Sequence, residues 1–312
     1  VLYSIGYGIF HPCGALRVTP TSTSTGVYAP DGSYYAEGVS NAEALLSLYS
    51  PGNGLVWDAT DNSMVIADPV TPANNYSGPL ITAGVMNKGT FTRASTGTFV
   101  GSNGLIQSAA SGAPRIEYDP ATLAVKGLLM EGARTNSVVY SEDFPVAWNE
   151  IQSTLTSNAT APPDGSVTAN LLKEDSTTSS HFTNQGVIKA ASSQTWTASV
   201  FLKAKERTES VVAMTDQAGN GVNVSINLTS AAIVAATQGA GFTSPVAYIM
   251  AYPNNWYRIE LTGTTNAAVN LDLEVFLAKN GSQSYLGDGT SGLYVWGAQL
   301  ELGSSASTYT PT

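Results

Sequence analysis

From about residue 141 to the end, apolar and polar positions alternate in short runs. VTANLLK (167–173), TWTASVFLK (195–203), GVNVSINL (221–228), WYRIELTG (256–263), LDLEVFLA (271–278) and GLYVWGAQLELG (292–303) are the clearest. In GVNVSINL, Val222, Val224, Ile226 and Leu228 alternate with Asn223, Ser225 and Asn227, the signature of a strand buried on one face. No helical periodicity of useful length interrupts these runs. Many short strands at close spacing predict an all-β fold, an antiparallel β-sandwich over 141–312.

The earlier chain reads differently. Residues 1–53 form a small N-terminal segment, in which SNAEALLSLYS (40–50) predicts one short helix. Ser40 and Glu43 stand at capping-box spacing, and PGNG (51–54) stops it. Residues 54–140 predict a β-hairpin-rich connector. TFVGSNGLIQSA (98–109) would turn at Ser102-Asn103-Gly104, and the run 114–136 would turn at DPAT. No internal repeat is evident. The N-terminus VLYSIGYGIF has no charged leader and does not read as a signal peptide.

Composition narrows the function classes. Charged residues make up only 12% of the 312, against 43% hydrophobic, so the surface must be solvated largely by hydroxyls and amides. A net charge of −10 without a basic run argues against nucleic-acid binding and against docking on acidic membranes. No apolar run is long enough to insert as a membrane helix. A single cysteine, Cys13, excludes an intrachain disulfide framework and cysteine-based zinc sites.

The alternation also sorts side chains by face. Trp256, Arg258 and Glu260 oppose Tyr257, Ile259 and Leu261; Asp272, Glu274 and Phe276 oppose Leu271, Leu273 and Val275. Phe201 opposes Trp196, Ala198, Val200 and Leu202. Were these strands neighbours, one face would carry Phe201, Trp256, Arg258, Asp272, Glu274, Phe276 and Gln299. Aromatic planes beside carboxylates and amides suit a sugar groove, and equally a subunit interface. In the last strand a strict period of two puts Trp296 with Tyr294, Leu300 and Leu302 toward the core, leaving Gln299 and Glu301 outside as candidate ligand positions.

Catalytic signals are weak. Only His11 and His181 could serve as imidazole bases, and neither has a nucleophile motif beside it. His181 reads as an ordinary surface histidine, with a loop or edge-strand binding role as the sharper alternative. Asp272 and Glu274, two apart on one strand, point the same way and do not face each other across a bond to be cleaved. Asp288 in GDGTSG reads as a turn residue.

Two phrases carry a family resemblance. FTRASTGTFV with NGLIQSAASGAPRIEYDPATLAVKGLLMEGARTN and YSEDF, and the ending GDGTSGLYVWGAQLELGS with STYTPT, are similar to segments of bacteriophage virion proteins: tail or head fibres and decoration proteins. The resemblance covers about 91–312 and implies a jelly-roll sandwich of the carbohydrate-binding-module type. It further implies a non-enzymatic structural protein, assembled in the bacterial cytoplasm and exposed on the virion. Its partners would be other virion proteins, further copies of itself as a homotrimer, and host surface polysaccharide. The alternative it implies is a head-decoration or cement protein without a ligand. Residues 1–53 would then anchor the particle-bound end. No cofactor is implied apart from a structural calcium ion, for which Glu142 and Asp143 at the start of the sandwich are the candidates.

Overall fold

The computed structural model describes residues 92–312 in full and, before them, only the backbone of five short strands. These are β1 (Arg17–Thr21), β2 (Ser24–Tyr28), β3 (Tyr34–Glu37), β4 (Leu55–Asp58) and β5 (Ser63–Ile66). The first three form one antiparallel sheet and the last two a hairpin. The expected helix at 40–50 lies outside the described residues. The chain divides into two compact units, Val1–Ser102 with Ser108–Met130, and Asn103–Gln107 with Glu131–Thr312.

The expected hairpin elements are present in the connector. β6 (Gly97–Val100) and β7 (Ile106–Ala109) make a two-stranded sheet, with Gly104 at φ 75 in the turn between them. β8 (Ile116–Tyr118) and β9 (Val125–Leu128) pair antiparallel. Asp119 shapes their turn, its Oδ1 accepting from the backbone N–H groups of Ala121 and Thr122 and from the Thr122 hydroxyl. That is the local hydrogen bonding for which aspartate is favoured in turns.

The second unit is a two-layer sandwich. After a four-residue helix α1 (Phe144–Ala147) come β10 (Asn149–Ile151), β11 (Ser153–Thr160), β12 (Ala169–Glu174), β13 (Thr178–Ser180), β14 (Phe182–Ile188) and β15 (Thr195–Ala204). They are followed by β16 (Glu209–Thr215), β17 (Gly221–Asn227), β18 (Ala232–Gln238), β19 (Thr243–Tyr252), β20 (Trp256–Thr264), β21 (Asn270–Ala278), β22 (Ser284–Leu286) and β23 (Gly292–Leu302). One sheet has the order β10-β14-β21-β16-β17-β18 and the other β11-β12-β23-β15-β20-β19; β13 and β22 form a separate pair. Every recorded pairing between these strands is antiparallel.

Numbering β12, β14, β15, β16, β17, β20, β21 and β23 as eight successive strands gives sheet orders 1-8-3-6 and 2-7-4-5. That interleaving is the jelly roll, so the expected fold class is observed. The core lies between the sheets. Leu271, Leu273, Val275 and Leu277 of β21 and Val222, Val224 and Ile226 of β17 face Ala198, Val200 and Leu202 of β15 and Ile259 and Leu261 of β20. Alternation read from sequence identifies these inward positions because a strand's side chains repeat every second residue.

Candidate functional site

The seven residues expected to share one face are divided between the two outer faces. Phe201, Trp256, Arg258 and Gln299 belong to β15, β20 and β23 of one sheet, whereas Asp272, Glu274 and Phe276 belong to β21 of the other. The face they were expected to form together does not exist, because β21 is not a neighbour of β20.

The first group is not an open surface. Phe201, Trp256 and Gln299 are fully buried and Arg258 nearly so. The C-terminal residues after β23 fold back over them. Arg258 donates to Ser199 Oγ (2.9 Å) and to the Ser307 carbonyl (2.8 Å). Gln299 Nε2 donates to Glu301 Oε1 (2.6 Å), and Gln299 Oε1 accepts from the Thr310 N–H (2.7 Å). Glu301 accepts from Ser307 N–H and Oγ–H (2.8 and 2.9 Å). Trp256 Nε1 donates to the Ala161 carbonyl (2.9 Å). These polar atoms are already spent on the protein itself, so Gln299 and Glu301 are structural residues rather than exposed ligand positions.

Trp296 is buried, as expected, but on the other side of its strand. The β15–β23 pairing shifts between Ser199 and Phe201, with Gly297 at φ 61. The extra residue of this bulge reverses the phase. Val295, Ala298 and Leu300 enter the inter-sheet core, while Trp296 joins an outer aromatic cluster with Phe201 and Tyr309 at centroid distances of 5.3 and 4.7 Å.

The second group sits on the face of the other sheet that retains contact with solvent. Strand register builds two rows across it. One row runs Asn149, Asn184, Glu274, Ala213, Asn223 and Thr237; beside it runs Phe182, Phe276, Val211, Ser225 and Ala235. Phe182 and Phe276 stack with centroids 4.4 Å apart. On the opposite flank Asp272 lies between Gly186 and Thr215. A Cβ at Gly186 would run into Asp272 Oδ1, so glycine there gives the carboxylate room. Each carboxylate thus has one small neighbour in the adjoining strands, Gly186 beside Asp272 and Ala213 beside Glu274. Six strands at their normal spacing make this face about 24 Å wide.

The electrostatics of this face follow from partial burial. Glu274 is pushed up to about 7, chiefly by desolvation, with the charge of Asp272 adding to it and a hydrogen bond from Thr215 opposing it. Asp272 is also raised, first by burial and then by Asp216. No Lys or Arg occurs in any of the six strands of this sheet. Asn184 Oδ1, next to Glu274 in the register, is buried without a hydrogen-bond partner. Phe182, Asn184 and Asn223 were not among the expected site residues, although the alternation of GVNVSINL already turned Asn223 outward; the alternation of HFTNQGVI is the signal that would have placed the other two.

Glu142 and Asp143 do converge on one recess of about 260 Å³, lined also by Tyr140, Asn158, Thr168 and Thr312. Glu142 accepts from the Tyr309 hydroxyl (3.1 Å) and Asp143 from Ser157 Oγ (2.9 Å). Asn170, fully buried, donates to the Glu142 carbonyl, and its Oδ1 has no partner. Oxygen donors alone, two of them carboxylates, fit a hard cation such as calcium. Among the described residues no group of three or more acidic, histidine or cysteine side chains is placed to hold a metal, so neutral oxygens would complete the set.

His181 is interior rather than on a surface loop. Its Nδ1 lies 2.7 Å from the Gln152 carbonyl and its Nε2 3.3 Å from that of Tyr285. Nearby, Glu174 is almost wholly buried and accepts from Arg207 Nε (2.6 Å), from the Tyr285 hydroxyl (2.7 Å) and from the Asp288 N–H (2.8 Å). Asp288 itself accepts from Thr290 and Ser291, the turn role read for it.

Neither the protein-family models nor the curated proteins include a match. Among solved structures, the enzymatically active domain of bacteriophage CBA120 tailspike protein 4 is 13% identical over 54% of this chain, with a TM-score of 0.33. The chain spans about a fifth of that protein, 21%. The CBM22-1 xylan-binding domain of Paenibacillus barcinonensis Xyn10C is 12% identical over 57% of this chain and all of its own, TM-score 0.33. The mannan-recognising carbohydrate-binding module TmCBM27 is 9% identical over 55% of this chain and 98% of its own, TM-score 0.32.

Proposed function

We propose that the sandwich is a non-enzymatic glycan-binding module, displayed on a bacteriophage particle, that holds host surface polysaccharide on the outer face of the β10–β18 sheet. The observation that carries the reading is the row of two amides and a carboxylate, Asn184, Glu274 and Asn223, running beside the stacked Phe182–Phe276 pair. Sugar rings present an apolar face to aromatic planes and hydroxyls to carboxylates and amides, and this surface offers both along one line. Its carboxylates have no basic residue among them, so the glycan it suits is neutral; an anionic polymer would be repelled. The setting on the virion follows from the resemblance of the sequence segments. There, many copies give avidity to weak individual contacts.

Titration calorimetry of the whole chain against neutral and anionic bacterial polysaccharides tests this. Neutral polymers should bind weakly, and Phe276→Ala should lower affinity at least about tenfold through lost stacking. Unchanged affinity in Phe276→Ala and Glu274→Gln, or binding of anionic polymers alone, would remove the site. No binding across the panel would favour the ligand-free decoration role.

A further inference from the structure

The two lateral edges of the sandwich are built differently. At one, β10 is only three residues long and carries Glu150, whose carboxylate accepts from the Leu155 N–H (3.0 Å). Its neighbour β11 is irregular between Thr156 and Thr160, with Asn158 at φ 58, and α1 lies against it. Short strands, charges, bulges and cover are the means by which natural sheets prevent edge-to-edge pairing.

The opposite edge lacks most of these. β18 and β19 are the last strands of their sheets, lie beside each other, and pair only inward, with β17 and β20. Pro245 and a register shift guard only the start of β19, so Val246–Tyr252 runs on as regular ladder. β18 is itself irregular opposite Ser225 and Ile226, so β19 supplies the pairing edge and β18 an apolar wall beside it. Val234 is 68% exposed, Tyr248 62%, Val246 44% and Ile233 36%. No residue from Gln217 to Tyr257 carries a charge.

We propose that this edge is an interface between copies of the chain, with β19 of one copy pairing antiparallel with β19 of another about a local two-fold. Charge selects this occupant. Each copy carries −10, and two such bodies repel wherever their acidic surfaces meet. The Gln217–Tyr257 segment lets them approach without facing like charges. An antiparallel strand is also complementary to itself, since the same N–H and C=O groups serve both copies, which is the condition for a closed two-fold contact. The proposal does not depend on glycan binding: the pairing strand β19 belongs to the other sheet, and β18 is only the outermost strand of the glycan-facing one.

Sedimentation velocity of the full chain over a range of concentrations, with hydrogen exchange on the same samples, tests it. Wild type should self-associate, with the amides of Val246–Tyr252 gaining protection as concentration rises. Val234→Lys with Tyr248→Lys should weaken association about a hundredfold by burying unpaired charge. Circular dichroism should leave the fold of the variant unchanged; were it to unfold, Val234→Thr with Tyr248→Thr replaces it and should weaken association in the same direction. A wild type monomeric throughout, a variant of equal mass to wild type, or association that leaves the β19 amides unprotected would each overturn the proposal.

Discussion

Gly297 packs directly on the ring of Phe201: a Cβ at position 297 would lie 2.8 Å from Phe201 Cδ2. The glycine is at φ 61, a conformation that costs an alanine about 1–2 kcal/mol, and the forced shift of a closely packed ring costs a similar amount. Gly297→Ala should therefore destabilise the sandwich by about 2–4 kcal/mol, read from denaturant midpoints at unchanged slope. A loss below about 0.5 kcal/mol would mean the bulge relaxes freely.

That bulge also marks where sequence stops predicting structure. Alternation places the inward residues of β17 and β21 because nothing interrupts their period of two. In β23 the one extra residue at Gly297 reverses the phase, so Trp296 is legible as buried but not as lying outside the inter-sheet core. The cover over Phe201 and Arg258 is equally silent, since Ser307, Thr308 and Thr310 act through hydrogen bonds and carry no hydropathic signal. On the outer face of the β10–β18 sheet, Asp272, Glu274 and Phe276 were legible as outward-pointing. Their partners Phe182, Asn184 and Asn223 come from other strands, and which strands neighbour one another is a property of topology rather than of local pattern.

Glu174 anchors the end of the sandwich through Arg207, Tyr285 and the Asp288 backbone. Desolvation opposes its charge, but the hydrogen bonds from Arg207, Tyr285 and Asp288 outweigh it and lower its pKa. Glu174→Ala leaves the largely buried guanidinium of Arg207 without its main partner, and should cost about 3–5 kcal/mol. Because its folded pKa is depressed, the stabilisation is present above the ordinary glutamate range and disappears as pH falls through the lowered value. The variant's deficit, measured by thermal melts from pH 7 downward, should shrink in acid. A deficit independent of pH would assign the loss to packing alone.

Glu274 predicts the opposite pH dependence. Its pKa is raised from 4.5 to about 7, so the folded state holds the proton more tightly than the unfolded chain. That contribution is fully present below about pH 4.5 and is lost as pH rises through 7. Glu274→Gln, which cannot ionise, should match wild type in acid and exceed it at pH 8 by at most about 3 kcal/mol, less whatever the water on this face screens. If glycan binds here, its affinity should also change near neutral pH in wild type and not in the variant. Parallel stability curves for the two proteins between pH 4 and pH 8 would show that Glu274 is solvated normally.

The recess at Glu142 and Asp143 yields the last prediction. Burial raises the Glu142 carboxyl, and the nearby charge of Asp164 adds to it. A desolvated Glu142 carboxylate is destabilising unless a cation or a proton accompanies it. We propose calcium, with Glu142 and Asp143 as the charged donors; it would neutralise them and tie the start of the sandwich to β11. At a hundred times its dissociation constant a bound ion adds about 2.7 kcal/mol, roughly 5–10 °C in melting temperature for a unit of this size. Calcium should raise the melting temperature, a chelator should reverse the gain, and magnesium should do less because it demands tighter octahedral geometry. Glu142→Gln with Asp143→Asn should melt at one temperature whether or not calcium is present. A calcium-dependent rise that survives in that double variant would place the ion elsewhere, and no rise in wild type would leave the two carboxylates to Tyr309 and Ser157 alone.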